Sequence, residues 1–239
     1  MSWFKTWFDS KYYHILYKNR DEKEAIRFLD NITQYLKITK GNILDVGCGK
    51  GRHAKYFNEL GFNVVGIDLS LNSISTAKQN ETQDLKFHQF DMRKVFKENS
   101  FNLVTNLFTS FGYFDNTQDE QKSINAMSKN LKKDGLLIID FMNVKKIIKN
   151  LVGEESKEIN KVKFDITREF KDDYILKNIS ITDNNITLRF QEKVHALTLF
   201  DFSEMIQKSG MSIIDIFGSY NLDSFDASKS ERLILIARK

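Results

Sequence analysis

Apolar residues along the first 145 positions alternate between short continuous runs and a helical spacing. The short runs predict buried strands at 42–46, 63–67, 85–89, 101–106 and 136–141. Between them, the spacing predicts helices at 22–37, 51–60, 71–80 and onward from Thr117. Asp21 and Glu24 suit the start of the first helix, and Gly135 suits the end of the last. This alternation favours a parallel sheet covered by helices on both faces.

Residues 162–200 follow a different pattern, in which apolar and polar positions alternate around a turn signal at 183–185. A period of two predicts antiparallel strands with one covered face, so we expect a small β lid inserted at 150–200. A helix at 201–208 and strands at 211–217 and 232–238 then restore the α/β pattern. We interpret residues 1–239 as a single domain, with an N-terminal cap and helix at 1–38.

Composition and charge exclude several classes of protein. A net charge of +4 without a basic cluster argues against a DNA partner. The single cysteine, Cys48, excludes an internal disulfide and fits a reducing compartment. The longest uncharged stretch, 101–114, is too short to span a bilayer, and the aromatic N-terminus lacks the apolar centre of a signal peptide. We therefore expect a soluble cytoplasmic protein.

The stretch NILDVGCGKGRH joins the first strand to the next helix. Gly47, Gly49 and Gly51 let a ligand approach the backbone and the helix N-terminus closely. Arg52 stands where the dinucleotide fingerprint would have its third glycine, and the P-loop spacing is missing. The loop alone predicts a nucleotide-like ligand without identifying it.

Three acidic residues narrow the choice of ligand. Asp68 ends the second strand and can hold both ribose hydroxyls of an adenosine, although dinucleotide folds also satisfy this spacing. Asp91 follows the third strand, where it can accept a hydrogen bond from an adenine amino group while Met92 packs on the ring. Asp45 is a buried carboxylate beside the loop, which suits a cationic ligand such as a sulfonium carrying an ammonium group better than it suits a pyrophosphate.

In this order, ILDVGCGKG, GIDLS, FDM and FNLVTNLF resemble the motifs of class I S-adenosylmethionine-dependent methyltransferases, over roughly residues 40–145. The phrases LFTSFGYF, LLIIDFMN and SERLILIARK resemble the small-molecule branch that carries a β lid. The resemblance implies a Rossmann-like sheet of seven mostly parallel strands, helices on both faces and an antiparallel last strand. It also implies S-adenosyl-L-methionine as methyl donor and S-adenosyl-L-homocysteine as product.

The resemblance also implies roles for individual residues. The glycines should line the methionine portion of the cofactor, with Asp45 near its amino group and Arg52 near its carboxylate. Asn106 to Phe108 should pass beneath the sulfonium. The complete predicted cofactor set is Tyr13, Asp45, Gly47, Cys48, Gly49, Gly51, Arg52, Asp68, Leu69, Asp91, Met92, Asn106, Leu107 and Phe108.

Residues that contact the methyl acceptor are predicted from the segments that follow strands four and five and from the lid. Asp140 and Asn143 are the best polar contacts, and His195 and Tyr113 are candidate proton acceptors for catalysis. The odd positions of the last lid strand form either a solvated face or a face that closes over the substrate. The predicted substrate set is Phe111, Tyr113, Asp140, Asn143, Arg189 and His195. The four histidines lack metal-ligand spacing, so no metal is expected.

Methyl transfer is an in-line displacement that requires alignment and exclusion of water. Enzymes that methylate exocyclic base amines usually carry a proline pair after strand four, and this chain has no proline. Methylation of the cytosine ring needs a cysteine nucleophile after strand four, whereas Cys48 follows the first strand. The main hypothesis is methyl transfer to a nitrogen or oxygen of a small molecule. A protein or tRNA acceptor, a catalytically silent cofactor-binding subunit and a nicotinamide oxidoreductase remain alternatives.

Overall fold

A computed structural model describes residues 3–18, 22–184 and 186–239. Asp21 and Asn185, which the sequence assigned to a helix start and a turn, lie outside them. The helices are α1 Trp3–Phe8, α2 Lys11–Leu16, α3 Glu22–Leu36, α4 Arg52–Glu59, α5 Leu71–Ala77, α6 Thr117–Asn130, α7 Val144–Lys149 and α8 Leu199–Lys208. Among these described helices, none is both long and apolar enough to cross a membrane. The strands are β1 Asn42–Val46, β2 Asn63–Asp68, β3 Leu85–Gln89, β4 Phe101–Asn106, β5 Leu131–Met142, β6 Glu154–Ile159, β7 Val162–Lys171, β8 Tyr174–Asp183, β9 Ile186–His195, β10 Ser212–Phe217 and β11 Arg232–Arg238.

Seven strands form one sheet in the order β10-β11-β5-β4-β1-β2-β3. Strands β1 to β5 pair in parallel, and β11 is antiparallel to both of its neighbours. Two large apolar clusters, centred on residues such as Val104 and Phe141 in one and Phe57 and Phe87 in the other, cover the sheet. The predicted Rossmann-like sheet with helices and an antiparallel last strand is confirmed.

The predicted role of Gly135 as a helix end is wrong. Helix α6 ends at Asn130, and β5 begins at Leu131 without an intervening loop. The chain turns sharply within the start of β5, where Asp134 has a φ of 61°. A Cβ on Gly135 would lie 2.9 Å from the carbonyl oxygen of Lys132, so the glycine permits a close backbone approach rather than ending the helix.

The second sheet contains β6, β7, β8 and β9, all antiparallel, and lies within the predicted lid boundaries. Strand β6 was not predicted, because EESKEI has no apolar alternation. One face of this lid sheet, here called its inner face, packs on α1 and α2. Trp7, Tyr12 and Leu16 join Phe164 and Ile179 in a buried apolar cluster. The lid sheet therefore supports these helices, called the N-terminal cap (residues 3–18).

Hydrogen bonds fix the N-terminal cap at two sides. Trp7 Nε1 and the Tyr17 hydroxyl each donate to Glu192 of β9, both at 2.7 Å. On the opposite side, the Ser70 hydroxyl donates to the carboxylate of Asp9. The cap therefore bridges the lid sheet and the start of α5.

The C-terminal end of β9 attaches the lid sheet to the main domain. The backbone N–H of His195 donates to the Gly112 carbonyl at 2.7 Å, and its Nδ1 lies 3.0 Å from Oε1 of the fully buried Glu120. The hydrogen bond to Glu120 raises the pKa of His195 above its ordinary 6.5, although burial acts in the opposite direction. When the imidazole is protonated, it forms an ion pair with the buried carboxylate that joins the lid sheet to helix α6.

We expect this ion pair to make stability depend on pH. The histidine pKa is raised in the folded state, so its contribution is complete below the unfolded pKa and is lost as pH rises through the folded pKa. Replacing His195 with Gln should cost about 1.5–3 kcal/mol of unfolding free energy at about pH 6 and clearly less at about pH 8.5. Urea unfolding at both pH values measures this difference, and an equal cost at both would contradict the ion pair.

Candidate functional site

A cavity of about 380 Å³ lies at the carboxyl ends of β1, β2, β3 and β4. Strand order reverses between β1 and β4, and open α/β sheets bind ligands at such a point. The glycine loop forms one part of the wall, and the N-terminal cap forms another. The lining residues are Phe4, Phe8, Tyr13, His14, Tyr17, Lys18, Gly47, Cys48, Gly49, Lys50, Arg52, His53, Ile67, Asp68, Leu69, Ser73, Phe90, Asp91, Met92, Arg93, Leu107, Phe108, Ser110, Tyr113 and Phe114.

The glycine loop has a backbone shape that side chains would prevent. Gly49 has a φ of 54°, and a Cβ there would face open space at the cavity. Gly51 has a φ of 83°, and its Cβ would lie 2.5 Å from the Phe87 ring. The N–H groups of Gly47 and Cys48 donate to the Ile67 carbonyl at 2.8 and 3.1 Å, which ties the loop to β2. The loop thus offers an open backbone surface to a ligand.

Asp68 connects the glycine loop to the start of α5. Its Oδ2 accepts from the Gly49 N–H and its Oδ1 from the Ser70 N–H, both at 2.8 Å. Burial raises the pKa of this carboxyl, while the two N–H donors lower it. The side chain is both a loop anchor and a hydrogen-bond acceptor on the cavity wall.

Asp91 follows the carboxyl end of β3 at the cavity, where Arg93 holds its side chain. Arg93 Nη2 and Asp91 Oδ2 are 2.6 Å apart, and Arg93 Nη1 lies 2.7 Å from Asp119 Oδ2. Although burial alone would raise the pKa of Asp91, its hydrogen bonds with Arg93 hold that pKa below its ordinary value. Asp91 is therefore a rigid, ionised acceptor next to the apolar Met92.

Two buried oxygen atoms beneath the glycine loop lack a hydrogen-bond donor among the described residues. Asp45 Oδ1 accepts from the Thr105 hydroxyl at 2.9 Å, but Asp45 Oδ2 has no donor, and neither has Asn106 Oδ1. Burial raises the pKa of Asp45 to about 7. A buried carboxylate is costly unless positive charge lies near it. Arg52 supplies part of that charge, and a cationic ligand group would add to it.

Residues 39–203 match the family described as Methyltransferase domain. The chain belongs to this methyltransferase family. It is 27% identical over 227 residues to YqeM, an inferred methyltransferase of Bacillus subtilis. The aligned region covers 88% of this chain and 90% of YqeM. The open cradle at Gly49 and the unpaired carboxylate oxygen of Asp45 fit the cationic cofactor of this family.

Solved structures share the fold of the methyltransferase. An S-adenosylmethionine-dependent methyltransferase from Clostridium acetobutylicum has a TM-score of 0.80 at 21% identity, with 95% of each chain covered. CalS10 from Micromonospora echinaspora, an amino pentose methyltransferase solved with S-adenosylmethionine bound, has a TM-score of 0.70 at 18% identity, covering 96% of this chain and 97% of its own. The fold thus extends over nearly the whole methyltransferase.

Most of the predicted cofactor residues meet at the cavity of the methyltransferase. These are Tyr13, Gly47, Cys48, Gly49, Arg52, Asp68, Leu69, Asp91, Met92, Leu107 and Phe108. Asp45, Gly51 and Asn106 instead lie beneath the lining. The Asn106 side chain donates to the carbonyls of Val46 and Ser110, at 2.9 and 3.2 Å, so it braces the floor. The individual contacts of all these residues with the cofactor remain predictions.

Of the predicted acceptor contacts, Tyr113 lines the cavity and the others do not. Phe111 is fully buried against Phe202 in the core. The Asn143 amide donates to the backbone carbonyls of Ala227 and Ser230, at 3.0 and 2.8 Å. The Phe111 side chain is thus committed to core packing and the Asn143 side chain to anchoring the loop before β11, and neither lines the cavity.

The polar face of the last lid strand also lies away from the cavity. Arg189 pairs with Ser180 and is exposed, whereas the neighbouring pair of Ile179 and Phe190 lies on the inner face against the N-terminal cap. His195 is engaged with Glu120. The substrate role predicted for Arg189 and the catalytic role predicted for His195 therefore have no support in their placement, since the cap separates the lid sheet from the cavity.

Sequence reasoning missed most of the wall that the N-terminal cap supplies. Phe4, Phe8, His14 and Lys18 line the cavity, although only Tyr13 was predicted from this segment. Helices α1 and α2 have six residues each, too few to show a helical period. The unusual density of aromatic residues in the first 17 positions was the available signal.

Proposed function

We propose that this methyltransferase transfers the methyl group of S-adenosylmethionine to an amine nitrogen of a small molecule. The observation that carries the proposal is the composition of the cavity. One wall is the polar glycine loop with Asp68 and Asp91, and the other is aromatic. The aromatic wall consists of Phe4, Phe8, Tyr13, Tyr17, Tyr113 and Phe114.

The polar wall accounts for the cofactor. Asp68 would hold the ribose, Asp91 and Met92 the adenine, and Arg52 the carboxylate of the amino-acid end. When bound, the cofactor supplies a methyl group on sulfonium sulfur, which is already activated for displacement. What remains for the protein is to align the acceptor with this group and to exclude water.

The aromatic wall favours an amine acceptor over a hydroxyl. Aromatic faces attract an ammonium group and tolerate the cationic product of its methylation. A neutral amine attacks without a strong base, whereas a hydroxyl requires one. Asp68 is engaged by backbone N–H groups and Asp91 by Arg93, so neither carboxylate at the cavity serves as the strong base that a hydroxyl would require. CalS10, named as an amino pentose methyltransferase, agrees with an amine acceptor.

Methyl transfer to paired substrates tests the proposal. The enzyme would be incubated with methyl-labelled S-adenosylmethionine and small amines, each matched by the analogue carrying a hydroxyl in place of the amine. We expect label on amines and a mass gain of one methyl unit. Transfer only to hydroxyl analogues, or only to a protein or tRNA fraction, would contradict it. S-adenosylhomocysteine binding without transfer to any substrate would instead favour a silent subunit.

Cofactor affinity should depend on pH through Asp45. The ammonium group of the ligand favours the ionised carboxylate, so with a pKa of about 7 the affinity should increase as pH rises toward 7 and level off above it. We expect S-adenosylhomocysteine to bind up to about tenfold more tightly at about pH 8 than at about pH 6. Calorimetric titration measures this change. The Asp45→Asn variant should show a flatter profile, and an unchanged slope in that variant would assign the effect to another group.

A further inference from the structure

The loop after β4 contains two consecutive residues in a backbone conformation that side chains disfavour. Phe108 has a φ of 54° and Thr109 a φ of 63°. Residues other than glycine hold this left-handed region only where their surroundings impose it, and such positions cluster at functional sites. Phe108 lines the cavity, so this strained backbone lies at the candidate site itself.

Asp140 imposes the conformation from beneath. Its Oδ2 accepts from the Phe108 N–H at 2.8 Å, and its backbone carbonyl accepts from the Thr109 N–H at 2.9 Å. Arg232 donates to Asp140 Oδ1 at 2.8 Å and to the Thr109 hydroxyl at 3.0 Å. Asp140 is fully buried. Both strained residues are thus bound to one buried ion pair.

Tyr220 extends this arrangement to the Phe108 ring. Its hydroxyl donates to Asp140 Oδ2 at 3.1 Å, and its ring stacks on Phe108 at 5.0 Å with an interplanar angle of 27°. The guanidinium of Arg52 lies 4.3 Å from the centroid of the Phe108 ring. Contacts therefore run continuously from the ion pair through two aromatic rings to Arg52, which lines the cavity.

We propose that Tyr220 and the Asp140–Arg232 pair are positioning residues, which hold Phe108 as a platform for Arg52 so that its guanidinium meets the carboxylate at the amino-acid end of the cofactor. This inference rests on the proposed cofactor orientation. A long arginine side chain loses considerable rotamer entropy when it binds. A fixed aromatic platform removes part of that cost before the ligand arrives.

Two ligands distinguish this role from simple packing. S-adenosylhomocysteine carries the amino-acid end, and 5′-methylthioadenosine has the same adenosine without it. The Tyr220→Leu variant should lose roughly tenfold in affinity for S-adenosylhomocysteine and less than about twofold for 5′-methylthioadenosine. Tyr220→Phe keeps the ring, so it should stay within about threefold of the wild type for both. Calorimetric titration measures each value.

Tyr35 provides a matched control, because its ring contacts Phe217 at 5.1 Å outside the cavity. Tyr35→Leu should leave both affinities unchanged, and urea midpoints of all variants would show that each is folded. Arg52→Met should reproduce the selective loss, and adding Tyr220→Leu to it should cause no further loss. Equal losses for the two ligands in Tyr220→Leu, or additive losses in the double variant, would overturn the proposal. Failure of both ligands to bind the wild type would instead refute the cofactor site itself.

Discussion

Replacing Arg232 with alanine is expected to lower the free energy of unfolding by about 3–5 kcal/mol, because it leaves the buried carboxylate of Asp140 without its cation. Arg232 Nε lies 2.8 Å from Asp140 Oδ1, and the Asp140 side chain is fully buried. The same guanidinium donates a hydrogen bond to the Thr109 hydroxyl. Such a loss is a large part of the stability of an ordinary domain. Urea unfolding followed by circular dichroism measures it.

A double variant separates the buried charge from lost packing. Removing both charges, with Asp140→Asn and Arg232→Met together, should recover a substantial part of the stability that Arg232→Ala loses, because no unpaired charge then remains. Lys229→Ala, at a mostly exposed lysine of the adjoining loop, should cost no more than about 1 kcal/mol. A small effect of Arg232→Ala, close to that of Lys229→Ala, would show that the Asp140–Arg232 pair contributes little to stability.

Replacing Asp68 with alanine is expected to weaken S-adenosylhomocysteine binding by roughly 100-fold or more. Two effects combine, since the carboxylate is the proposed ribose acceptor and also binds the N–H groups of Gly49 and Ser70. Hydrogen bonds to a charged group contribute about 1.5–3 kcal/mol each, and about 1.4 kcal/mol corresponds to tenfold in affinity. 5′-Methylthioadenosine should lose a similar factor, because it carries the same ribose.

The matched control for this prediction is Asp84→Asn, which alters an exposed aspartate directly before β3. Its affinity for both ligands should equal that of the wild type. Calorimetry on Asp68→Ala, Asp84→Asn and the wild type provides the comparison. If Asp68→Ala retained wild-type affinity, the ribose would have to bind elsewhere and the cofactor orientation would be wrong.

The main sheet could be predicted because its determinants are local. The predicted segments 42–46, 85–89 and 101–106 coincide with β1, β3 and β4, since apolar residues occupy most of the buried positions of each strand. Strand β6 escaped prediction because its residues are mostly charged, and the Gly135 error arose because a glycine can serve either a helix end or a close approach in a strand. Local pattern does not distinguish those uses.

The cofactor half of the site could be predicted for a similar reason. Its residues follow directly on the strands that display them, so position along the chain determines position in space. The other half depends on contacts between distant segments. Asp140 was predicted as a substrate contact because it lies near the end of β5, yet it binds Arg232 and Tyr220, residues 92 and 80 positions away. No periodicity in one sequence encodes such a pairing.

Both tryptophans of the chain, Trp3 and Trp7, belong to the N-terminal cap. Trp3 touches Tyr113 at the cavity, and Trp7 is buried with its indole bonded to Glu192. Tryptophan fluorescence therefore reports on the cap alone, whereas circular dichroism reports mainly on the sheets and helices behind it. A urea titration in which emission changes before ellipticity would resolve release of the cap from unfolding of the domain, and emission during a ligand titration would follow the wall of the cavity directly.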